Sequence, residues 1–439
     1  MLTMNTLMNE KIMPVIMKFI NSKPVLALKD GFVYAMPLMI AGSIFLLLAE
    51  FPIKQVTDFF ASVGLKEVLN QAYACSFNIM ALIAVIGIAY TYADNEGYAP
   101  LPAGAIALSS FLLLQPGDIV SQTGEQVSVI LKAWCAGQGM VCAIIIGNLV
   151  GFIYCLLIKK GITIKMPNGV PAGIVNSFNA LIPAVVITFL MTALYAILQL
   201  GFDTTFFELI YGTIQTPLQG LSDSLWGIIA VAFLVPLLWW FGVHGASIVT
   251  GVMTGLWMAN TAANQVILDS GKALTLENGA HIVTQQFYDQ FICVTGSGIT
   301  IGLVVYMLFR AKSKQYKELG KISIVPALFN VNEPVLFGTP IVLNPLLMVP
   351  FIAIPVLTAI IEYFAIASGL CPLYTGVLAP WTTPVIISGF IIGGWRTALL
   401  QAVIVVLSVI GYYPFIKKID QLAFEKEEAM QNNVEENVL

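Results

Sequence analysis

Apolar runs long enough to be counted in tens of ångströms, parted by short polar stretches, recur along the chain from Gly31 to Phe415. A helix rises about 1.5 Å per residue, so roughly twenty apolar residues cross a hydrocarbon core of about 30 Å. On that template the pattern predicts ten crossings. Gly31–Ala49, Ala72–Tyr92, Tyr98–Gln115, Gly137–Ile158 and Asn179–Leu200 form a first group of five. Leu225–Gly242, Gly245–Ala262, Phe291–Arg310, Leu347–Ser368 and Thr397–Phe415 form a second. The third span is short and opens on prolines.

Two further apolar segments do not read as plain crossings. Ile322–Pro345 contains Asn330-Val331-Asn332-Glu333-Pro334, and Pro372–Gly394 contains Pro380-Trp381-Thr382-Thr383-Pro384. Irregular backbone at membrane depth is tolerated only inside protein or along a wet cavity. Such broken segments point to a transporter's substrate site. The expected fold is therefore an all-α polytopic membrane protein, a two-bundle transporter with about ten transmembrane helices plus two re-entrant broken segments. Its parts are an N-terminal five-helix bundle (1–201), a linker (202–223), a C-terminal bundle holding both broken segments (224–419) and a polar tail (420–439). The linker is mixed in character, with Asp203, Glu208, Gln215, Gln219 and Asp223, and reads as an interfacial amphipathic helix or a plain loop. The acidic tail after Asp420 is expected to be disordered or a frayed helix.

Composition supports the membrane reading. Charged residues make up 10% of the chain and mean hydropathy is +0.88, against about 25% charge in soluble domains. That excludes a soluble enzyme and a secreted disulfide scaffold. A net charge of −4 gives no basic field for nucleic acid. The lysines and arginines also orient the chain. With the N-terminus inside, the inner segments hold Lys11, Lys18, Lys23, Lys29, Lys159, Lys160, Lys165, Arg310, Lys312, Lys314, Lys317, Lys321, Lys417, Lys418 and Lys426. Lys54, Lys66, Lys132, Lys272 and Arg396 fall on the other side. This bias predicts ten crossings with both termini cytoplasmic. Met1–Asp30 is amphipathic and lacks a signal peptide's apolar run, so the first span is expected to direct insertion.

Few residues carry chemistry. Glu333 is an ionisable group between Asn332 and Pro334 in an apolar segment, a functional candidate by default. It serves either as a proton-accepting base, as a hydrogen-bonding acid or as a tie to helix ends. His244, flanked by Gly242 and Gly245, orients a hydroxyl or offsets developing charge, or else is a structural histidine. His281, beside Asn278, reads as solvated. Trp239 and Trp381 offer flat faces suited to sugar rings; the alternative is an interfacial belt, which suits Trp226 and Trp395. Glu362 reads as a hydrogen bond between helices or a proton carrier. The six cysteines include no C-x-x-C pair, so they read as buried hydrophobes with no metal or redox role. There is no G-x-x-x-x-G-K-[ST] loop, so neither ATP hydrolysis nor any cofactor is expected.

The block Asn332-Glu333-Pro334-Val335-Leu336-Phe337-Gly338-Thr339-Pro340, continuing to Asn344-Pro345, resembles the membrane-embedded IIC component of the bacterial phosphoenolpyruvate-dependent phosphotransferase system. Trp240-Phe241-Gly242-Val243-His244-Gly245 and Met36-Pro37-Leu38-Met39-Ile40-Ala41-Gly42-Ser43 are similar to its lactose/cellobiose/diacetylchitobiose branch. That resemblance implies a homodimer in the bacterial plasma membrane, joined through the N-terminal half. The C-terminal half would carry one disaccharide, and a phosphocysteine on the partner protein IIB would phosphorylate the sugar's C6 hydroxyl. It puts Glu333 and His244 near that hydroxyl, with Trp239, Trp381 and Asn332 on the sugar. No soluble module with a phosphorylatable histidine or cysteine is expected here, which favours cellobiose or diacetylchitobiose over lactose. The rival reading is a proton-coupled disaccharide symporter using Glu333 or Glu362; a channel-like protein would show no saturable sugar binding.

Overall fold

The computed structural model describes residues 18, 22–49, 54–120, 126–167, 169–242, 244–339, 341–342 and 344–436. Most of the expected amphipathic N-terminus, with Lys11, lies outside them. Helices dominate, as the long Ala, Leu, Ile and Met runs require. Among the described residues the only sheet is a hairpin of β1 (Asp118–Val120) and β2 (Gln126–Ser128), where Ser128 donates to Asp118 at 2.7 Å. Five helices are long and apolar enough to cross a membrane: Leu65–Asn95, Gly137–Lys159, Ala172–Phe202, Pro345–Ala367 and Ile387–Gln431. A sixth is reached if Phe206–Ser222 and Leu225–Trp240 are taken as one span.

The chain divides into two compact units. The first comprises Met1–Leu221 and Thr250–Ala263, the second Ser222–Val249 and Asn264–Leu439. In the first unit the helices are α1 (Lys23–Phe32), α2 (Met36–Ala49), α3 (Lys54–Ser62), α4 (Leu65–Phe77), α5 (Met80–Asn95), α6 (Pro100–Leu113), α7 (Met140–Lys159), α8 (Ala172–Phe202) and α9 (Phe206–Ser222). The first predicted span is divided by a turn at 33–35, and the third is a helix of only 14 residues. Glycines bring α7 against α5: a Cβ at Gly147 would stand 2.9 Å from that of Ile88, and one at Gly151 2.7 Å from that of Tyr92. Such close approach supplies dispersion contacts where lipid offers no hydrophobic drive. The expected amphipathic linker is helical; Asp203 and Glu208 at its start are exposed, but its second half turns two amides inward. Gln215 and Gln219 are buried, donating to Gly137 O and Asn260 Oδ1 at 3.0 Å, while Leu218 and Leu221 are exposed. That is the reverse of a helix packed against protein and wetted by water, and it suits an apolar surrounding.

The second unit holds α10 (Leu225–Trp240), both ends of α11 (Gly245–Asp269), α12 (Ile301–Phe309), α13 (Lys314–Leu328), α14 (Glu333–Gly338), α15 (Pro345–Ala367) and α16 (Ile387–Glu436). Here α10 packs on α15, α12 on α13 and α16, and α15 on α16. The predicted span Phe291–Arg310 begins at the end of a π-helical turn, Tyr288–Ile292, and is helical again only from Ile301. Before it, Thr295 (φ 56°), Gly296, Gly298 and Ile299 (φ 53°) adopt left-handed backbone in a buried stretch. Thr-Gly-Ser-Gly resists helix, and other elements satisfy its carbonyls: Tyr412 donates to Gly298 O at 2.7 Å and Ser408 to Ile299 O at 2.5 Å.

Residues 368–386 are also non-helical, and Cys371, Tyr374, Gly376, Val377 and Ala379 along this segment are buried. Buried backbone groups require partners, and side-chain amides supply them in chain order. Asn264 donates to Tyr374 O at 2.8 Å, Gln265 accepts from Gly376 N at 2.9 Å, and Gln286 donates to Val377 O at 2.8 Å. Gln290 donates to Ala379 O at 3.0 Å. Gln401 accepts from Ile386 N at 2.6 Å and Gly389 N at 2.9 Å, and donates to Gln290 O at 2.8 Å. Glu362, fully buried on α15, accepts a hydrogen bond from Tyr374 at 3.0 Å.

Two sequence readings are corrected here. His281 is not a solvated loop residue. Its ring pairs with Asp223 at 2.9 Å, and its backbone N–H donates to Asn264 at 2.7 Å. The tail after Asp420 continues α16 to Glu436 rather than fraying from that point. Its acids explain why: Asp420 accepts from Lys312 N and Ser313 N at 2.8 and 3.1 Å, and Glu427 from Lys314 N and Gln315 N at 2.9 and 3.1 Å. Carboxylates at the free N–H groups opening α13 are favourable. Beside them, burial and then the charge of Asp420 push the Tyr316 phenol up to about 12.

Candidate functional site

The turn between α13 and α14 is built around Asn330. Its φ of 63° is left-handed, a conformation asparagine tolerates better than branched residues. The buried side chain then reaches in two directions. Its Oδ1 accepts from Thr295 N at 2.6 Å, and its Nδ2 donates to Trp381 O and, at 3.0 Å, to Thr383 O. One amide therefore ties the two broken segments to each other and to the loop before α12.

Asn332 does related work. It is buried, and its Nδ2 donates to Ser297 O at 2.8 Å and to Thr300 Oγ1 at 2.9 Å. Both amide hydrogens are thus used within the protein. A Cβ at Gly296 would collide with this side chain, so only glycine admits it. Asn332, expected against the sugar, is thus braced from within the protein one residue before Glu333.

Glu333 opens α14 in its first turn, with Pro334 beside it, where a missing N–H costs nothing. The side chain is exposed. An ionisable group in an apolar segment is expected to be enclosed, and Glu333 is not: of the two candidate acids, Glu333 is presented at a surface and Glu362 is buried. Four residues on, Phe337 shares the Glu333 face of the helix and is itself 73% exposed.

Phe337 leads to the other motif. Its ring centroid is 6.5 Å from that of Trp239, and the Trp239 ring is 4.3 Å from the His244 imidazole. Gly242, with φ 83°, ends α10 by turning the chain back. His244 then caps α11, its Nδ1 accepting from Ser247 N at 3.1 Å, with Ser247 Oγ at 2.8 Å. Because a backbone N–H donates to Nδ1, that nitrogen carries no hydrogen, and the ring's N–H lies on Nε2. Trp240 Nε1 donates to Asn344 O at 2.9 Å, fastening this turn to the end of the Asn-Glu-Pro block.

Within the second unit, ring contacts join Trp239 to His244 and Phe337, and Asn330 ties the Trp381 backbone to the turn that precedes Glu333. Glu333 and His244 are exposed, Trp381 is half-exposed, and Trp239 is buried beneath His244. The set offers a carboxylate, an N–H donor and two indoles, a combination able to accept a hydroxyl proton and bind a ring with apolar faces. Among the described residues, no group of three or more His, Cys, Asp or Glu could hold a metal ion. Sequence reasoning missed Asn330, Phe337 and Ser247. The asparagine preceding a second asparagine and a proline was a turn signal; Phe337 stood in the Asn-Glu-Pro block with no role assigned to it, and nothing local marked Ser247.

Residues 29–355 match the family described as "Phosphotransferase system, EIIC". The lichenan permease IIC component of Bacillus subtilis (strain 168) is 36% identical over 97% of this chain and 96% of its own length. The cellobiose-specific EIIC component of Geobacillus stearothermophilus is 36% identical over 96% of both chains. Among solved structures, the transporter ChbC, the IIC component of an N,N'-diacetylchitobiose-specific phosphotransferase system, is 38% identical. It superposes with a TM-score of 0.90, covering 96% of this chain and 99% of its own. A multi-pass membrane protein with this match across nearly its whole length belongs to the EIIC family of the phosphotransferase system.

Proposed function

We propose that this chain is the sugar permease subunit that carries a disaccharide of the cellobiose or N,N'-diacetylchitobiose type across the bacterial plasma membrane for phosphorylation at C6. The observation that carries the reading is the cluster of Trp239, His244 and Phe337 on the Glu333 face of α14. The substrates named for the cellobiose and N,N'-diacetylchitobiose relatives support the ligand class. The phosphoryl donor is a phosphocysteine on IIB. As its S–P bond breaks and the O6–P bond forms, Glu333 takes the O6 proton. The Nε2–H of His244 orients the sugar or offsets charge on the transferring group. Trp239 and Trp381 hold the sugar faces, and Asn330 and Asn332 hold the backbone that presents them. The chain acts as a homodimer of ten-span protomers with cytoplasmic termini. Residues 1–201 make the dimer contact, 202–223 link the bundles, and 224–419 move the sugar.

Glu333→Gln tests the assignment. The variant is expected to bind cellobiose as the wild type does and to form no sugar phosphate with phosphoenolpyruvate and the partner proteins. Full phosphorylation by that variant would remove Glu333 from the proton step. Vesicles separate this reading from symport: product appearing only as sugar phosphate supports it, whereas unmodified sugar driven by a pH gradient overturns it.

A further inference from the structure

A concave site lies elsewhere in the same unit, built from different elements. The loop after α11, the C-terminal end of α15 and the start of α16 line an open cavity of about 690 Å³. Small-molecule sites commonly measure about 300–1,000 Å³. Its lining includes Thr275, Glu277, Ser368, Trp395 and Arg396. The Trp395 indole is 66% exposed, with the Arg396 guanidinium 5.6 Å from the ring centroid. Gly394 makes this arrangement possible. Its φ of 74° and ψ of −164° interrupt α16, and the space where a Cβ would stand is open. The kink therefore sets Trp395 and Arg396 at the rim of the cavity.

The sidedness of the cavity follows from the length of α16. From Arg396 to Asp420 the helix runs about 36 Å at 1.5 Å per residue, more than the roughly 30 Å hydrocarbon core. Asp420 grips the start of the lysine-rich α13. Lysine-rich segments face the cytoplasm, so the cavity opens at the opposite, outer face. The chemistry of its lining is specific as well. Glu277 and Arg396 are its only charged residues, and they cancel. A simple ion meets one favourable and one unfavourable charge there, whereas a neutral polyol gains one acceptor, one forked donor, two hydroxyls and a flat aromatic face.

We propose that this cavity is an outer-face docking site for a neutral saccharide, separate from the Glu333 site and occupied before it. The inference rests on the transport reading above, but the two fail differently. The test uses full-length protein labelled with 5-fluorotryptophan, with the Trp395 and Trp381 ¹⁹F resonances identified by their loss in Trp395→Phe and Trp381→Phe. The probes are cellobiose and N,N'-diacetylchitobiose. Trp395 is expected to shift saturably in the wild type and in Glu333→Gln. Arg396→Gln and Glu277→Gln, both at exposed positions, are expected to weaken that titration about tenfold each and to leave the Trp381 titration unchanged. An unmoved Trp395 beside a titrating Trp381 overturns the docking site and leaves the transport reading standing. A titrating Trp395 beside an unmoved Trp381 supports the docking site and counts against the Glu333 site. Loss of both responses overturns both, and a Trp395 shift produced only by inorganic phosphate overturns the saccharide assignment.

Discussion

Replacing Asn330 with alanine removes the side chain that joins both broken segments, and its cost can be worked from the geometry. Three hydrogen bonds disappear: the one accepted from Thr295 N at 2.6 Å and those donated to Trp381 O and Thr383 O. At about 1 kcal/mol net for each, the loss is roughly 3 kcal/mol, and more where a buried N–H is left without a partner. Alanine at φ 63° adds about 1 kcal/mol of backbone strain. Asn330→Gly loses the same bonds without that strain, so it should be about 1 kcal/mol less damaging than Asn330→Ala. Asn330→Asp retains the acceptor toward Thr295 N and loses both donors. The assay is equilibrium unfolding of the purified protein in mixed micelles, with cellobiose binding measured on the fraction that remains folded. Binding should weaken in all three variants, because the Trp381 backbone loses its anchor. An Asn330→Ala protein within about 1 kcal/mol of wild type and with unchanged binding would refute the argument that this amide holds the site together.

His244→Asn keeps a side-chain acceptor for the Ser247 N–H and removes the imidazole, so it should fold as the wild type does and phosphorylate sugar poorly. Unchanged turnover would reduce His244 to a helix cap. Gln401→Leu strands the Ile386 and Gly389 N–H groups and the Gln290 carbonyl, and should cost about 3 kcal/mol or more in micelle unfolding; a near-neutral result would mean the broken segment does not depend on it. Tyr316 provides a pH test. Its phenol ionises near 10 in the unfolded chain and about 12 in the fold, so the unfolded state loses its proton first and stability falls as pH rises from 10 to 12. Tyr316→Phe should flatten that fall by about 1.4 kcal/mol per pH unit, while its stability difference from wild type stays constant below pH 10.

Patterns spread over many residues were legible in the sequence; the partners of single residues were not. The apolar runs revealed the membrane and the general positions of most long helices, because burial in lipid needs length and little else. The same rule misread Phe291–Arg310. Thr295 to Gly298 are apolar enough to pass, but they follow side-chain partners (Asn330, Asn332 and, on α16, Tyr412) rather than helical geometry. At the site, Glu333, His244, Trp239 and Trp381 stood out as rare chemical types in an apolar chain. Asn332 stood out equally and proved to be committed to Ser297 and Thr300, since exposure is set by contacts far apart in sequence. Asn330 and Gln401 were missed for the converse reason: a neutral amide looks incidental until the carbonyl or N–H that it serves is known.

The segment 368–386 contains no charged residue, and the side chains from other elements that bond its backbone are amides; Glu362 meets only the Tyr374 hydroxyl. Moving one elementary charge through 100 mV of membrane potential costs or yields about 2.3 kcal/mol. A segment braced by ion pairs would risk that coupling whenever one partner moved without the other. Braced by neutral amides, it can shift along the membrane normal without electrical work, and a neutral disaccharide travelling with it adds none. A transport step of this kind would be indifferent to membrane voltage, leaving the phosphoryl donor to give it direction.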